Sequence, residues 1–193
     1  MPGRPRSFEV EDVLGRAMLL FWKKGYEATG LVELERATGL GRQSLYTAFG
    51  DKRAVFLQVV EHYFTHVLKP GIDLLDAPGS ARQNLERVFA AWEATAADPA
   101  FNGCLVGNSV PELSARDPEV ASVLARKLEL MEAAFVRALG RAKRDGEVRH
   151  SLDVKDTARS LLTLAQGLAV VARANRDLAF VRGVVRTARA LLD

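Results

Sequence analysis

Cysteine is almost missing from this 193-residue chain. Cys104 stands alone, so no disulfide can form within the molecule, and a reducing compartment suits it. Long apolar runs are missing too: charges interrupt every stretch before the ~18 residues that a bilayer crossing needs. The opening "MPGRPRSFEVEDV" carries two arginines with no apolar segment behind them, which excludes the pattern of a secretory signal. These features together place the expected location in the cytoplasm. A strong charge excess is also lacking. The net charge is +3, with 9 Lys/Arg against 7 Asp/Glu up to Val60 and 18 against 17 beyond it. Neither part is a basic tail, so any affinity for nucleic acid must come from local arrangement of charge.

No convincing strand is present; what the chain does contain is helix after helix. The apolar fraction of 48% and charged fraction of 26% are those of an ordinary globular protein with one or two small domains. Val10, Val13, Leu14, Ala17, Met18 and Phe21 recur at i, i+3, i+4, i+7, i+8 and i+11, one apolar face of a helix. "KKGYEA" ends it, with lysines at the negative end of the helix dipole and Gly25 as a cap. Short helices are predicted over 31–38 and about 42–49. Asp51 caps a longer one to about Leu68, which Pro70 and Gly71 stop. Further helices are predicted from Ser80 to about Ala97, a short one around Pro111, Asp117 to Arg144, Asp153 to Ala174, and Leu178 to Leu192. The fold class is all-α, about nine helices, with no internal repeat.

"GLGRQSLYTAFGDK", residues 39–52, joins two of the short helices by a tight glycine turn, the geometry of a helix-turn-helix. A phosphate-binding loop of an enzyme is the competing reading. It fails because no Lys-Ser/Thr pair follows a second glycine at the required spacing and no strand leads in. Leu34, Leu40, Leu45 and Phe49 are spaced to bury one face against the first helix, which leaves Arg42, Gln43, Tyr46 and Thr47 outward. Arg and Gln suit base edges, and hydroxyl groups suit phosphate. No acid occurs between Glu35 and Asp51, and Arg4 and Arg6 precede the first helix on an arm that can reach an adjacent groove.

The run "GYEATGLVELERATGLGRQSLYTAFGDKRAVF" resembles the DNA-binding domain of TetR-type (TetR/AcrR) transcriptional regulators. It has the Gly-aromatic pair, the hydroxyl residue before the second helix, the glycine turn, the Leu-Tyr-x-x-Phe third helix and a lysine opening the fourth. The resemblance is detailed over residues 7–60 and looser beyond. It implies that Tyr46, Lys52 and Thr29 hold phosphates, that Arg42, Gln43, Ser44 and Thr47 occupy the reading helix, and that double-stranded operator DNA is a partner. Gly30 and Gly41 stand where the family often has Ser or Thr, so a capping hydroxyl is missing at each; glycine there costs only a few tenths of a kcal/mol, roughly. Glu35 stands where many such units have alanine.

On this reading residues 1–52 form the DNA-binding domain and 53–193 an effector-binding and dimerisation domain. One reading helix grips weakly, and two placed about one DNA turn apart, ~34 Å, grip a palindromic site, so a homodimer is expected. Its interface is expected on the last two helices, through Leu161, Leu164, Ala165, Leu168, Val171, Val184 and Leu191, with Gly167, Ala169 and Gly183 permitting close approach. Closing the monomer core is the alternative use of the same residues. Phe89, Trp92, Phe101, Met131 and Phe135 are the expected lining of a chamber for an apolar effector, or else plain core. Cys104, in "FNGCLVGNSVPEL", joins that set: near a helix N-terminus it is either a thiolate able to meet electrophiles or a small buried hydrophobe.

His62 and His66, four apart, lack a third ligand at supporting spacing, so no metal site is assigned. Nothing implies a cofactor, and no nucleophile–base pair appears; Ser109 lacks the elbow motif of hydrolases. The expectation is a ligand-responsive repressor, not an enzyme, with no membrane partner. A helical carrier of apolar molecules, or a protein-binding adaptor, with a vestigial helix-turn-helix is the alternative.

Overall fold

The computed structural model describes residues 8–175 and 177–193. Arg4 and Arg6 therefore lie outside the described residues. The helices are α1 Val10–Lys24, α2 Leu31–Thr38, α3 Arg42–Phe49, α4 Lys52–Tyr63, α5 Lys69–Asp76, α6 Ala81–Ala97, α7 Leu105–Leu113, α8 Pro118–Arg144, α9 Val154–Ala174 and α10 Leu178–Ala190. The starts follow side-chain chemistry. Asp51, Ser80, Asp117, Asp153 and Asp177 each accept a hydrogen bond from a backbone N–H of the turn they precede. Gly30 has no hydroxyl to give, but the Glu33 carboxylate returns to its N–H at 3.0 Å, which is the half of a capping box that needs no side chain at the cap. Gly39, at φ 73°, ends α2 in the left-handed conformation that β-carbons disfavour.

Pro70 and Gly71 do not stop the fourth helix as the sequence suggests. α4 passes into one π-helical turn, Phe64–Leu68, and emerges as α5, which continues to Asp76. The wide turn restarts the helical register, so Pro70 falls in the first turn of α5, where its missing N–H is dispensable. α4 and α5 thus form one rod, and nine helices in all are counted among the described residues. Lys127 of α8 braces that turn: it is buried, pairs with Glu61 at 2.6 Å and lies 4.4 Å from the centre of the Phe64 ring.

Apolar residues sort into two main cores. The first packs α1 (Val13, Ala17, Phe21), α2 (Leu34), α3 (Leu45, Phe49) and α4 (Val55, Phe56, Val59), and continues into α7 and the first turns of α8. Phe21 and Tyr26 both stand against Phe56, with ring centres 5.2 and 5.0 Å away. The second core gathers α5, α6, α8, α9 and α10 around Leu85, Phe89, Leu139, Leu161 and Val185. No described helix is long and apolar enough to cross a membrane.

Candidate nucleic-acid interface and effector chamber

Leu45 and Phe49, on one side of α3, are buried in the first core, which turns the opposite side outward. Arg42, Gln43, Ser44 and Thr47 are exposed on it, and Leu40 in the turn is half-buried. Tyr46 is half-buried at the edge of this face, with the Arg42 guanidinium 5.5 Å from its ring centre. Lys52, the first residue of α4, sits with its ammonium 4.3 Å from the Tyr26 ring centre, which holds a cation close to the end of α3. The face is cationic and free of acids from Arg36 to Gly50. Such a surface offers donors to phosphate and to the base edges of a major groove. Glu35 is half-buried without displacing Leu34 from the core.

Thr29 departs from its expected role. It is fully buried, and its hydroxyl donates to the Gly25 carbonyl at 2.6 Å, so it ties the α1–α2 turn together and has no surface for a phosphate.

Two clamps join this head to the rest. Glu112 of α7 accepts the backbone N–H groups of Tyr26 and Glu27 at 3.1 and 2.7 Å, Arg116 pairs with Glu27 at 3.2 Å, and the Trp22 indole donates to the Gly103 carbonyl at 3.0 Å. From the residue next to Arg116, Asp117 is gripped by Arg53 of α4, which also pairs with Glu119 at 2.6 Å, at the start of α8. The Arg53 guanidinium holds the Asp117 carboxyl down to about 2, below its ordinary 3.8.

Between the cores lies a cavity of about 360 Å³. Trp92, Phe101, Cys104, Met131 and Phe135 line it, as expected from sequence. Phe89 does not: it is fully buried in the second core, behind Trp92, whose ring centre lies 5.2 Å from its own. The sequence gives no sign of several further walls. Trp22 and Tyr63 come from the head side, Val67, Leu68, Pro70, Gly71 and Ile72 from the π turn and its exit, and Gln166 from α9. The Gln166 Oε1 is buried against Gly107 with no hydrogen-bond partner, an unpaired polar atom in the wall of a largely apolar space.

Cys104 caps the N-terminus of α7, its Sγ accepting from the Gly107 N–H at 3.5 Å. Burial pushes the thiol up, so desolvation outweighs the helix dipole and the hydrophobe reading fits better than the thiolate. Gly103, just before it, has φ 79°, and a Cβ there would stand 2.9 Å from the Ala169 carbonyl. The cavity-side end of α7 is thus pressed onto α9.

The expected dimer residues divide. Leu161 and Leu168 are buried inside the monomer, Leu164, Val184 and Leu191 are half-buried against its cores, and Ala165 and Ala169 line the cavity. Leu161, Leu168 and Ala165 are therefore corrected to internal positions. Val171 keeps its exposure at 39%, beside Val170, Leu178 and Phe180, which sequence periodicity did not single out. The half-buried Gly183 and the exposed Gly167 stand on the same pair of helices.

The family model for bacterial regulatory proteins of the tetR family matches residues 13–59, and the model for a tetracyclin repressor-like C-terminal domain matches 79–188. The chain is 33% identical over 193 residues to the uncharacterized HTH-type transcriptional regulator YezE of Bacillus subtilis, covering 99% of this chain and 100% of that one. It is 32% identical to the HTH-type transcriptional repressor ComR of Escherichia coli, over 91% of this chain and 85% of the relative. Among solved structures, a cysteine mutant of the TetR family regulator CifR in complex with 26-bp double-strand operator DNA superposes with a TM-score of 0.87 at 29% identity, covering 97% of this chain and 98% of that one. This chain belongs to the TetR family of helix-turn-helix transcriptional regulators.

Proposed function

We propose that the protein is a homodimeric repressor that leaves its operator when an apolar small molecule fills the cavity between its cores. The observation that carries this reading is continuity. The acid-free face of α3 rests on the same core as α7, and α7 begins in the cavity wall at Gly103 and Cys104. Residues 1–52 serve as the DNA-binding domain and 53–193 as the effector and dimer domain. Arg42, Gln43, Ser44 and Thr47 meet the groove, and Tyr46 and Lys52 meet phosphates at either end. The dimer forms through the exposed faces of α9 and α10, where Val170, Val171, Leu178 and Phe180 lie.

An effector larger than the resting cavity displaces the start of α7 and the π turn together. α7 carries the α1–α2 turn with it through Glu112 and Arg116, while α4 is held to α8 through Arg53. The head rotates against the body, and the two reading helices lose the half-site spacing. The effector must bind the rotated state better than the DNA-competent one, since equal affinity for both shifts nothing. A differential of about 1–3 kcal/mol, roughly 5- to 150-fold, is the usual size of such coupling. The ligand class is an apolar body with one donor for the Gln166 Oε1. The neutral Cys104 thiol is a wall residue in this scheme, not a nucleophile. The protein works in the cytoplasm, where its DNA is.

The test is selection of bound genomic fragments, followed by titration of candidate apolar ligands against the recovered operator. Release that is lost in Gln166→Leu while operator affinity stays unchanged supports the proposal. Ligand binding without any retention of DNA at low salt supports a carrier instead.

A further inference from the structure

His62 and His66 are not a pair. Glu11, from the first turn of α1, brings one carboxylate oxygen between them: its Oε2 lies 3.1 Å from His62 Nδ1 and 3.2 Å from His66 Nε2. The three ligand atoms all fall within 4.8 Å of one another. The two imidazole rings lean together with centres 4.2 Å apart. They flank a second, smaller hollow, lined also by Gln58, Glu61 and Thr65, on the side of α4 away from the apolar cavity.

We propose that Glu11, His62 and His66 form a binding site for a divalent transition-metal ion of the Zn²⁺ class, one per chain, which staples the start of α1 to the end of α4. Two imidazoles and a carboxylate are the donor set that borderline ions select over Mg²⁺ or Ca²⁺. Tetrahedral Zn²⁺ with bonds of about 2.0–2.2 Å holds its ligands roughly 3.3 Å apart. Both contacts of Glu11 are already within a few tenths of an ångström of that spacing. His62 is nearly buried, with 10% of its side chain exposed, which fixes one ligand; His66, at 53%, is free to rotate and close the third edge. Glu61 is not a fourth protein ligand, because Lys127 holds it at 2.6 Å, so the remaining position goes to water or to Thr65. His66 belongs to the π turn, so the ion would tie that turn directly to the head.

The experiment is titration of the chelator-stripped full-length protein with ZnCl₂, followed by calorimetry and by thermal melting, with CoCl₂ as a spectroscopic substitute. One ion binds per chain, the melting temperature rises with metal concentration, and Co²⁺ gives the intense visible bands of a low-coordinate site. His66→Ala and Glu11→Gln each weaken Zn²⁺ binding at least tenfold and abolish the melting shift, while Glu9→Gln leaves both unchanged. Both substitutions lie on exposed side chains, so folding is retained, which circular dichroism checks. No saturable Zn²⁺ binding by the wild-type chain overturns the proposal. So does binding of undiminished affinity in His66→Ala and Glu11→Gln, which would place the ion elsewhere, for instance at His150.

Discussion

The head and the body use their apolar residues in opposite ways. In the head, Phe21, Tyr26, Phe56, Leu34 and Leu45 close on one another in a single core that includes helices of only eight residues, α2 and α3. In the body, Trp92, Phe101, Met131 and Phe135 line a cavity of about 360 Å³, although Trp92 and Phe135 meet edge to face with ring centres 6.1 Å apart. Close packing makes the head a unit that moves as a whole, which a reading device needs. The unfilled volume makes the body a structure with more than one way to pack, which a sensor needs.

The largest expected effect tests the first half of that contrast. Phe56→Ala removes a fully buried ring from the head and should cost about 3–5 kcal/mol in denaturant titration, with loss of operator binding. Next come matched insertions. Ala17→Leu, at a fully buried position in α1, should cost about 1–3 kcal/mol, whereas Ala165→Leu, facing the cavity, should fall below that range and exclude an apolar fluorescent probe. Equal costs at the two sites would erase the distinction between packed head and open body. Within the head, Gln43→Ala should change operator preference by about 1–3 kcal/mol at one base position. Lys52→Ala should weaken all sequences alike and reduce the salt slope by about one.

The smallest effect concerns the joint. The Asp117 carboxyl is depressed to about 2 in the folded protein against an ordinary 3.8, so its pairing with Arg53 and its cap on α8 contribute stability that is complete above pH 3.8 and is lost as pH falls towards 2. Acid unfolding of Arg53→Met should lack the Arg53 share of that increment in this window, while the share from the Asp117 cap on α8, through the Glu119 and Val120 N–H groups, stays in place. Superimposable acid transitions would show that the clamp is too screened to matter.

Much of this was legible in the sequence, for reasons that differ by region. The head is built from local rules: Gly39 ends a helix, Asp51 starts one, and Leu45 and Phe49 must face inward, so the outward residues follow. Helix starts in the body were equally legible from Ser80, Asp117 and Asp153. What lines the cavity was not, because it depends on how distant helices rotate. Phe89 and Trp92 are three residues apart on α6, yet one is sealed in the core and the other faces the void. Leu161 and Val170 share α9 and look alike in sequence, but one faces the monomer core and the other the surface. Thr29 shows the converse limit, since a hydroxyl at the expected place had already been used by the Gly25 carbonyl. The π turn at Phe64–Leu68, which carries the rod past Pro70, is reported by no local rule.

In the proposed repressor, paired heads set by the body read DNA. Footprinting of the full-length protein on a recovered operator tests this directly. The expected result is two-fold symmetric protection, with half-site centres about one helical turn, ~34 Å, or a multiple of it apart. One dimer should bind per site, and protection should vanish in Arg42→Ala,Gln43→Ala without loss of dimer. Protection of a single half-site by a monomer, or an unchanged footprint in that double variant, would contradict it.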